Sequence, residues 1–162
     1  MSLKIIHTAD WHLGQTFFGY DRDEEHEAFL SWLIDILTLR QTDVLLIAGD
    51  VFDVANPSAA AQRRFFRFLR EANRRNPQLQ IVIIAGNHDS AARLEAPIPL
   101  LEELNTSIVG AVPRTDLCKI DFDSLLIPLY NKEGKREAIC LAVPYLRQGD
   151  YPASKEGKDT YV

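Results

Sequence analysis

Three short segments of this chain share one pattern, in which a run of Ile, Val and Leu is followed by small residues and then by a polar one. They are residues 3–10 (LKIIHTAD), 44–50 (VLLIAGD) and 81–87 (IVIIAGN). Short apolar runs that end at small residues are typical of strands buried on both faces, as in parallel sheets. The chain is therefore expected to contain a parallel β-sheet, which restricts it to the α/β class.

The stretches between these segments have helical periodicity. From about Asp23 to Arg40, apolar residues recur at helical spacing opposite a polar stripe. A second helix is predicted from Pro57 to about Arg75, with Asn56 or Ser58 as its cap and Pro57 in its first turn. The order is βαβαβ, for which we expect right-handed crossovers and helices on both faces of the sheet.

The pattern changes after Arg93. A short helix is predicted for residues 97–104, followed by strands at 106–109, 119–122, 124–130 and 137–143, with a hairpin turn at 131–135. These strands are expected to begin a second sheet packed on the first. Residues 1–147 are then the N-terminal part of one α/β domain, and residues 148–162 are a polar tail or linker.

Polar residues with metal-binding chemistry follow each of the three buried strands. Asp10 and His12 are two residues apart, so in an extended stretch both side chains point to the same side. Asp50 follows the second strand, and Asn87 and His88 follow the third. The carboxyl ends of parallel strands share one edge, where open α/β folds bind ligands. Oxygen and nitrogen ligands without thiolate favour Mn²⁺, Fe²⁺ or Zn²⁺.

The composition excludes several classes of protein. With 46% hydrophobic and 25% charged residues in a chain of 162, a folded domain is expected rather than a disordered one. A net charge of −5 argues against a protein that simply coats DNA. There is no apolar stretch long enough to span a membrane and no leader-like segment. Cys118 and Cys140 lack metal-site spacing and are expected to be reduced thiols, which predicts a cytoplasmic protein.

The motifs DxH, GDxxD and GNHD, in that order, resemble those of the calcineurin-like metallophosphoesterase family. The longer strings HTADWHLGQ, AGDVFDVANPS and AGNHDS are similar to the nuclease subunits of the ATPase–nuclease complexes that repair DNA breaks. This resemblance implies a layered fold, with central mixed sheets flanked by helices. It also implies two divalent metal ions, Mn²⁺ first with Mg²⁺, Fe²⁺ and Zn²⁺ as alternatives, DNA as substrate, an ATPase partner and a homodimer.

The resemblance also assigns metal ligands. It implies that Asp10 and His12 bind the first metal, that Asp50 bridges both ions and that Asn87 binds the second. Two ions that share a bridging carboxylate are a known means of generating hydroxide at neutral pH and neutralising phosphoryl oxygens.

Two further residues receive catalytic roles from the resemblance. It implies that His88 lies over the scissile phosphate and stabilises or protonates the leaving oxygen. Asp53 is then a carboxylate behind His88 that orients it, since a carboxylate beside an imidazole selects its tautomer and supports its charged form.

One departure from the family pattern concerns histidines. The family completes both metal sites with three more histidines in later GH and GHxH motifs, whereas this chain has only His7, His12, His26 and His88. The resemblance therefore predicts that the chain is the N-terminal part of a longer nuclease. Alone, it is expected to be inactive and to bind Mn²⁺ weakly or at a single site.

Other features allow a structural and a functional interpretation. Phe17 and Phe18, in a Gly-flanked loop after the DxH motif, either stack on unpaired bases at a DNA end or pack against a neighbouring chain or domain. Asn56 and Ser58 are predicted on the same rim, close enough to the site to contact a DNA backbone.

Histidines and arginines outside the motifs are more ordinary. His26 is expected to be a buried structural residue, with a supporting role at the metal site as the alternative, and His7 a core or sheet-face residue. An arginine stripe on the second helix is interpreted as a solvated face, with phosphate binding as the alternative; it comprises Arg63, Arg67, Arg70 and Arg74.

Two other functions remain open. One is a phosphodiesterase or phosphatase for small molecules or phosphoproteins. The phosphoprotein enzymes of this superfamily typically carry GNHE and an Arg after GDxxD, where this chain has GNHD and Val54. The other is a scaffold that keeps the fold without activity.

Overall fold

The computed structural model describes residues 2–116, 119–148 and 150. In chain order its strands and α-helices are β1 (Ile5–Thr8), β2 (Thr16–Phe17), β3 (Tyr20–Asp21), α1 (Asp23–Leu39), β4 (Val44–Ala48), α2 (Ala59–Arg75), β5 (Gln80–Ile84), α3 (Ala91–Glu95), α4 (Ile98–Leu101), β6 (Thr106–Val109), β7 (Leu126–Tyr130) and β8 (Arg136–Leu141). Cys118 and almost all of the predicted tail, residues 149 and 151–162, lie outside the described residues.

The centre of the fold is a parallel sheet of four strands in the order β1–β4–β5–β6. The three strands predicted from the apolar runs form, and β6 confirms the fourth. Burial on both faces is confirmed for β4 and β5 but is wrong for β1, which lies at the edge of the sheet and has no fully buried residue. The first strand is shorter than predicted, because regular pairing ends at Thr8 and the backbone turns at Asp10.

The helices do not lie on both faces of this sheet, which corrects the expectation from the βαβαβ order. One hydrophobic cluster joins apolar residues of α1 and α2 to Leu45, Ile47, Ile81 and Ile83 of the sheet. Because the strands follow each other across the sheet without reversal, right-handed crossovers place every connecting helix on the same side. Helices on both faces would require the strand order to reverse.

The opposite face of the sheet is covered by the antiparallel hairpin of β7 and β8. Val44 and Val82 of the central sheet pack there with Leu125, Leu129 and Ala142. The predicted second sheet and the turn at 131–135 are thus confirmed. The predicted strand at 119–122 is wrong, since Ile120 forms only an isolated bridge with Arg114. The strand predicted from Ser124 begins two residues later, after a 3₁₀ turn at Asp123–Leu125.

The two long helices begin and end close to the predicted residues. α2 begins at Ala59, because Ser58 is its N-cap and accepts a hydrogen bond from the Ala61 amide at 3.1 Å. Pro57 therefore precedes the cap instead of occupying the first turn. The single helix predicted for residues 97–104 is instead the short α4 followed by a 3₁₀ turn at Glu102–Leu104.

Two predictions from the composition concern the state of the cysteines and the absence of a membrane-spanning segment. Cys140 is a free, half-buried thiol whose pKa is raised by burial. Across the described residues, the helices are all too short or too polar to cross a membrane.

Candidate metal centre

The turns after β1 and β4 lie side by side at the carboxyl edge of the sheet. The Asp10 amide donates to the Gly49 carbonyl at 3.1 Å, and the His12 amide donates to the Asp50 carbonyl at 2.9 Å. Asp10, His12 and Asp50 all have left-handed backbone conformations, with φ of 55°, 46° and 49°. The side chains of Asp10 and His12 therefore converge through a strained turn, which corrects the expectation of an extended segment.

Asp10, His12 and Asp50 form one compact group of ligand atoms. Single atoms from the three side chains lie within 4.8 Å of one another. His12 Nε2 is 3.9 Å from Asp10 Oδ1 and 4.0 Å from Asp50 Oδ2. The sequence placed these three residues at one metal ion, and the structure brings them together.

Asp53 supports His12 from the other side of the ring. Its Oδ1 is 3.2 Å from His12 Nδ1, close enough for an ion pair although the angle is too bent for a hydrogen bond. Gln15 Nε2 donates to the same oxygen at 3.2 Å, and Arg22 in turn donates to Gln15 at 2.8 Å. A carboxylate behind a ligand histidine is the usual device for directing the opposite nitrogen to a metal.

His88 lies next to this group but contacts Asp53 through a different atom from the predicted one. Its Nδ1 is 2.7 Å from the backbone carbonyl oxygen of Asp53. The Asp53 carboxylate lies 3.2 Å from His12 Nδ1, and one of its oxygens is also within 4.8 Å of a ring nitrogen of His88, so these three residues form a second group of possible ligand atoms. The His88 amide donates to Asp50 Oδ1 at 2.9 Å, and its ring packs edge-on to His12 at 4.9 Å. The hydrogen bond to the Asp53 carbonyl, with the nearby carboxylates, raises the pKa of His88.

Asn87 follows β5 at the same edge of the sheet, and its side chain is exposed. It stands between Gly86 and His88, whose backbone amides are both held by carboxylates of this edge. Its role as a ligand of a second ion remains a prediction.

Asp89 is the residue that the sequence reasoning missed. Its fully buried carboxylate accepts hydrogen bonds from the amides of Val51 and Phe52, at 3.1 and 3.0 Å, and of Gly86 at 2.9 Å. It thereby fastens the turn after β4 to the turn after β5. The signal was available, since Asp89 is the last letter of GNHD.

Gly86 is needed for close approach of the same two turns. A Cβ on Gly86 would lie 2.1 Å from Asp50 Oδ1 and 2.4 Å from the Asp50 amide nitrogen. Any side chain at this position would displace the Asp50 carboxylate.

The residues predicted to contact DNA fall into two groups. Phe17 and Phe18 lie at the tip of the β2–β3 hairpin with their rings exposed, so the predicted loop is a small antiparallel hairpin. Asn56 is exposed in the bend before α2, but the hydroxyl of Ser58 is engaged in capping that helix. A contact with DNA remains a prediction for all four.

The remaining predicted residues have distinct environments. His26 is buried, as expected, and also lines a cavity beside Asp10. His7 is exposed on β1. The arginine stripe is exposed; within it Arg67 pairs with Glu27 and Arg74 with Glu71.

Comparison with known proteins decides the family. The sequence model of the calcineurin-like phosphoesterase family matches residues 3–146. The chain belongs to this family. Calcineurin-like phosphoesterases bind divalent metals, and the carboxylate and imidazole ligands gathered here fit such ions.

Among curated relatives in this calcineurin-like family, three are each named as the D subunit of the nuclease SbcCD. The protein of Rhodobacter capsulatus is 48% identical over 157 residues, which are 97% of this chain and 38% of the relative. That of Escherichia coli K12 is 34% identical over 96% of this chain and 36% of the relative. That of Bacillus subtilis is 40% identical over 75% of this chain and 31% of the relative. The chain thus spans less than two-fifths of the length of these relatives.

Proposed function

We propose that this chain belongs to a metal-dependent DNA nuclease that hydrolyses phosphodiester bonds at DNA ends or hairpins. The observation that carries the proposal is the group formed by Asp10, His12 and Asp50, with His88 packed against it. The relatives are named as nucleases, which supports a nucleic acid as the substrate; DNA is the substrate that the resemblance of the motifs implies.

Two divalent ions are proposed at this edge, with Mn²⁺ as their identity, and the group of Asp10, His12 and Asp50 supports the first of them. Asp10, His12 and Asp50 would hold the first ion, and Asp50 and Asn87 would contribute to the second. Such ions supply hydroxide at neutral pH and neutralise charge on the phosphoryl oxygens. Asp53 keeps Nε2 of His12 directed to the first ion by occupying the side of Nδ1.

His88 is proposed to act on the leaving oxygen. When Nδ1 donates to the Asp53 carbonyl, Nε2 is the nitrogen left for the phosphate. In the protonated ring Nε2 carries the second N–H, which suits a group that donates a proton or a hydrogen bond to the leaving oxygen.

The proposed partners and cellular role are those that the resemblance of the motifs implies, and the proposed location is the one that the sequence predicts from its cysteines. An SbcC-like ATPase, a homodimer of the nuclease chain, a role in DNA repair and recombination and a cytoplasmic location are proposed here. The shared name of those relatives itself describes each of them as one component of a larger SbcCD complex.

The test is hydrolysis by the full natural chain with Mn²⁺, on duplex DNA with free ends and on a small generic phosphodiester. We expect cleavage of DNA that Asp50→Ala and His88→Ala each reduce by at least about 100-fold. His7→Ala, which changes an exposed histidine on β1, is the matched control and should retain full activity.

Each contrary result addresses one part of the proposal. Cleavage that survives Asp50→Ala or His88→Ala excludes the mechanism. Cleavage of the small diester without cleavage of DNA excludes the nuclease and favours a phosphodiesterase for another substrate. Absence of any metal-dependent hydrolysis by the full natural chain favours a scaffold.

A further inference from the structure

A cavity of about 420 Å³ opens directly beside the metal ligands, between the turn after β1 and the N-terminal half of α1. Asp10 and His12 line it on the side of the metal centre, and Trp11, His26 and Phe29 line it on the side of the helix. Its volume is in the range of small-molecule binding sites. A group attached to a phosphate at the metal centre can therefore enter it.

His26 gives this cavity an unpaired polar group. The residue is only 6% exposed, and its imidazole makes no hydrogen bond within the described part of the chain. Its Nδ1 is buried without any partner. Because Nδ1 is closed off from solvent, a ligand in the cavity can reach the imidazole only through Nε2, which also makes no hydrogen bond in the described part of the chain. Polar side chains this buried nearly always have a partner in native proteins, so a ligand, or a water in its place, is expected at Nε2.

Phe29 and Trp11 give the same cavity an aromatic wall. Their rings meet edge to face, 5.8 Å apart at 77°. The Trp11 indole is held in place by a hydrogen bond from Nε1 to Thr8 Oγ1 at 3.0 Å. Phe29 also lies beside Trp32, with ring centroids 6.2 Å apart at 32°, but it is only partly buried and lines the cavity, so part of its ring is open to a flat partner there.

The charges of the cavity disfavour an anion. Asp10 and Glu25 contribute carboxylates, and the guanidinium of Arg22 already donates to Gln15 and lies 4.0 Å from Glu25. A second phosphate group would meet these carboxylates. A neutral, flat group with hydrogen-bonding edges is the chemistry that fits.

We propose that this cavity binds an unpaired nucleobase of the DNA, next to the phosphate held at the metal centre. The base stacks on Phe29 and takes a hydrogen bond from, or gives one to, His26. The proposal rests on the proposed nuclease function, because it uses the same metal centre to hold the neighbouring phosphate.

The test measures binding without cleavage. A fluorescent phosphorothioate dithymidylate, which resists hydrolysis, is titrated with the full natural chain in Mn²⁺, beside matched dinucleotides with an abasic sugar at either position. The wild-type chain should bind the intact dinucleotide about tenfold more tightly than one of the abasic forms, a ratio typical of one stacked base.

Two variants locate that difference. Phe29→Leu keeps an apolar side chain but removes the ring, and His26→Leu keeps the volume but removes the hydrogen bond. The tenfold ratio should fall to about twofold or less in each, while thermal unfolding shows that both remain folded. Phe122→Leu makes the same change at an exposed aromatic residue that does not line the cavity; it is the matched control and should keep the full ratio.

The contrary results are equally definite. Equal binding of intact and abasic dinucleotides by the wild type overturns the proposal. So does a ratio that survives in both cavity variants, or one that is lost instead in Phe18→Leu, which would place the base on the β2–β3 hairpin. A base-dependent ratio in a protein that does not cleave DNA would reject the nuclease function and leave the base site standing.

Discussion

At the scale of single residues, the candidate metal centre concentrates backbone strain. Asp10, His12 and Asp50 each have a positive φ, a conformation that costs about 1–3 kcal/mol for a residue with a side chain. Such residues persist only where the surroundings hold them in place. Here the hydrogen bonds between the turns after β1 and β4, together with Asp89, supply that restraint.

Asp89 can be tested by removing its carboxylate. Asp89→Ala leaves three buried amides without a partner, and we expect the free energy of unfolding to fall by about 4 kcal/mol. Asp89→Asn keeps one acceptor oxygen and should lose less. Urea unfolding of the two variants measures both values, and an equal loss in the two would contradict the role of the three hydrogen bonds.

Asp53 can be separated from the metal ligands that it supports. Because its carboxylate faces Nδ1 of His12, Asp53→Ala should weaken Mn²⁺ binding by about 10- to 100-fold, as expected for a residue behind a ligand. Calorimetric titration with Mn²⁺ measures this. The exposed Asp123 gives a matched control, and Asp123→Ala should leave the affinity unchanged. Unchanged affinity in Asp53→Ala would show that His12 needs no support.

At the scale of elements, α1 and α2 are joined by one buried arginine. Arg64 is 7% exposed and pairs with Asp23 at 2.8 Å and with Glu27 at 2.9 Å, both on α1. These partners raise the pKa of Arg64, with the hydrogen bond to Asp23 contributing most. The sequence reasoning passed over Arg64, because it belongs to neither the apolar face of α2 nor its exposed stripe.

Arg64 and its neighbour Arg67 offer a matched pair of substitutions. Arg64→Ala removes a buried cation and should lower the free energy of unfolding by about 2 kcal/mol, less than for a fully buried pair because the carboxylates are half exposed. Arg67→Ala removes an exposed partner of the same Glu27 and should cost at most about 0.5 kcal/mol. Urea unfolding distinguishes them, and equal losses would contradict the difference in burial.

At the scale of the whole molecule, stability should depend on pH through His26. Burial, followed by the charges of Arg22 and Arg64, lowers its pKa below the ordinary 6.5, against the opposing effect of Asp23 and Glu25. At a pH above the pKa that His26 has in the unfolded chain, its imidazole is neutral in both the folded and the unfolded state. As pH falls below that pKa, the unfolded chain binds the proton first, so stability declines until pH passes the folded-state pKa.

The variant His26→Leu should therefore flatten the profile. The loss of unfolding free energy between pH 7.5 and pH 5.5, measured in urea, should be smaller in this variant than in the wild type. His7→Leu changes an exposed histidine and should leave the difference as it is. A difference unaffected by His26→Leu would show that the residue titrates normally in the folded protein.

Much of this molecule follows from the sequence alone. The apolar runs before Asp50 and Asn87 determine two buried parallel strands, because only such strands bury side chains on both faces in so few residues. The run before Asp10 also forms a parallel strand, although β1 is half-exposed at the sheet edge. Parallel strands end at one edge, so the gathering of these polar residues was also predictable. The motifs identify the family, and the comparison with known proteins confirms it.

Other features of the molecule were determined only by the tertiary structure, because they depend on contacts between segments that are distant in sequence. The helices share one face because the strands follow in order across the sheet, a fact of pairing that no local pattern records. The Asp53 carboxylate lies beside His12 Nδ1, and the Asp53 backbone carbonyl contacts His88, because the turns after β1 and β4 are hydrogen-bonded together. Local sequence motifs thus supply the ligands of the candidate metal centre and place them at one edge of the sheet. The orientation of those ligands, and the cavity beside Asp10, arise only when the turns and α1 pack together.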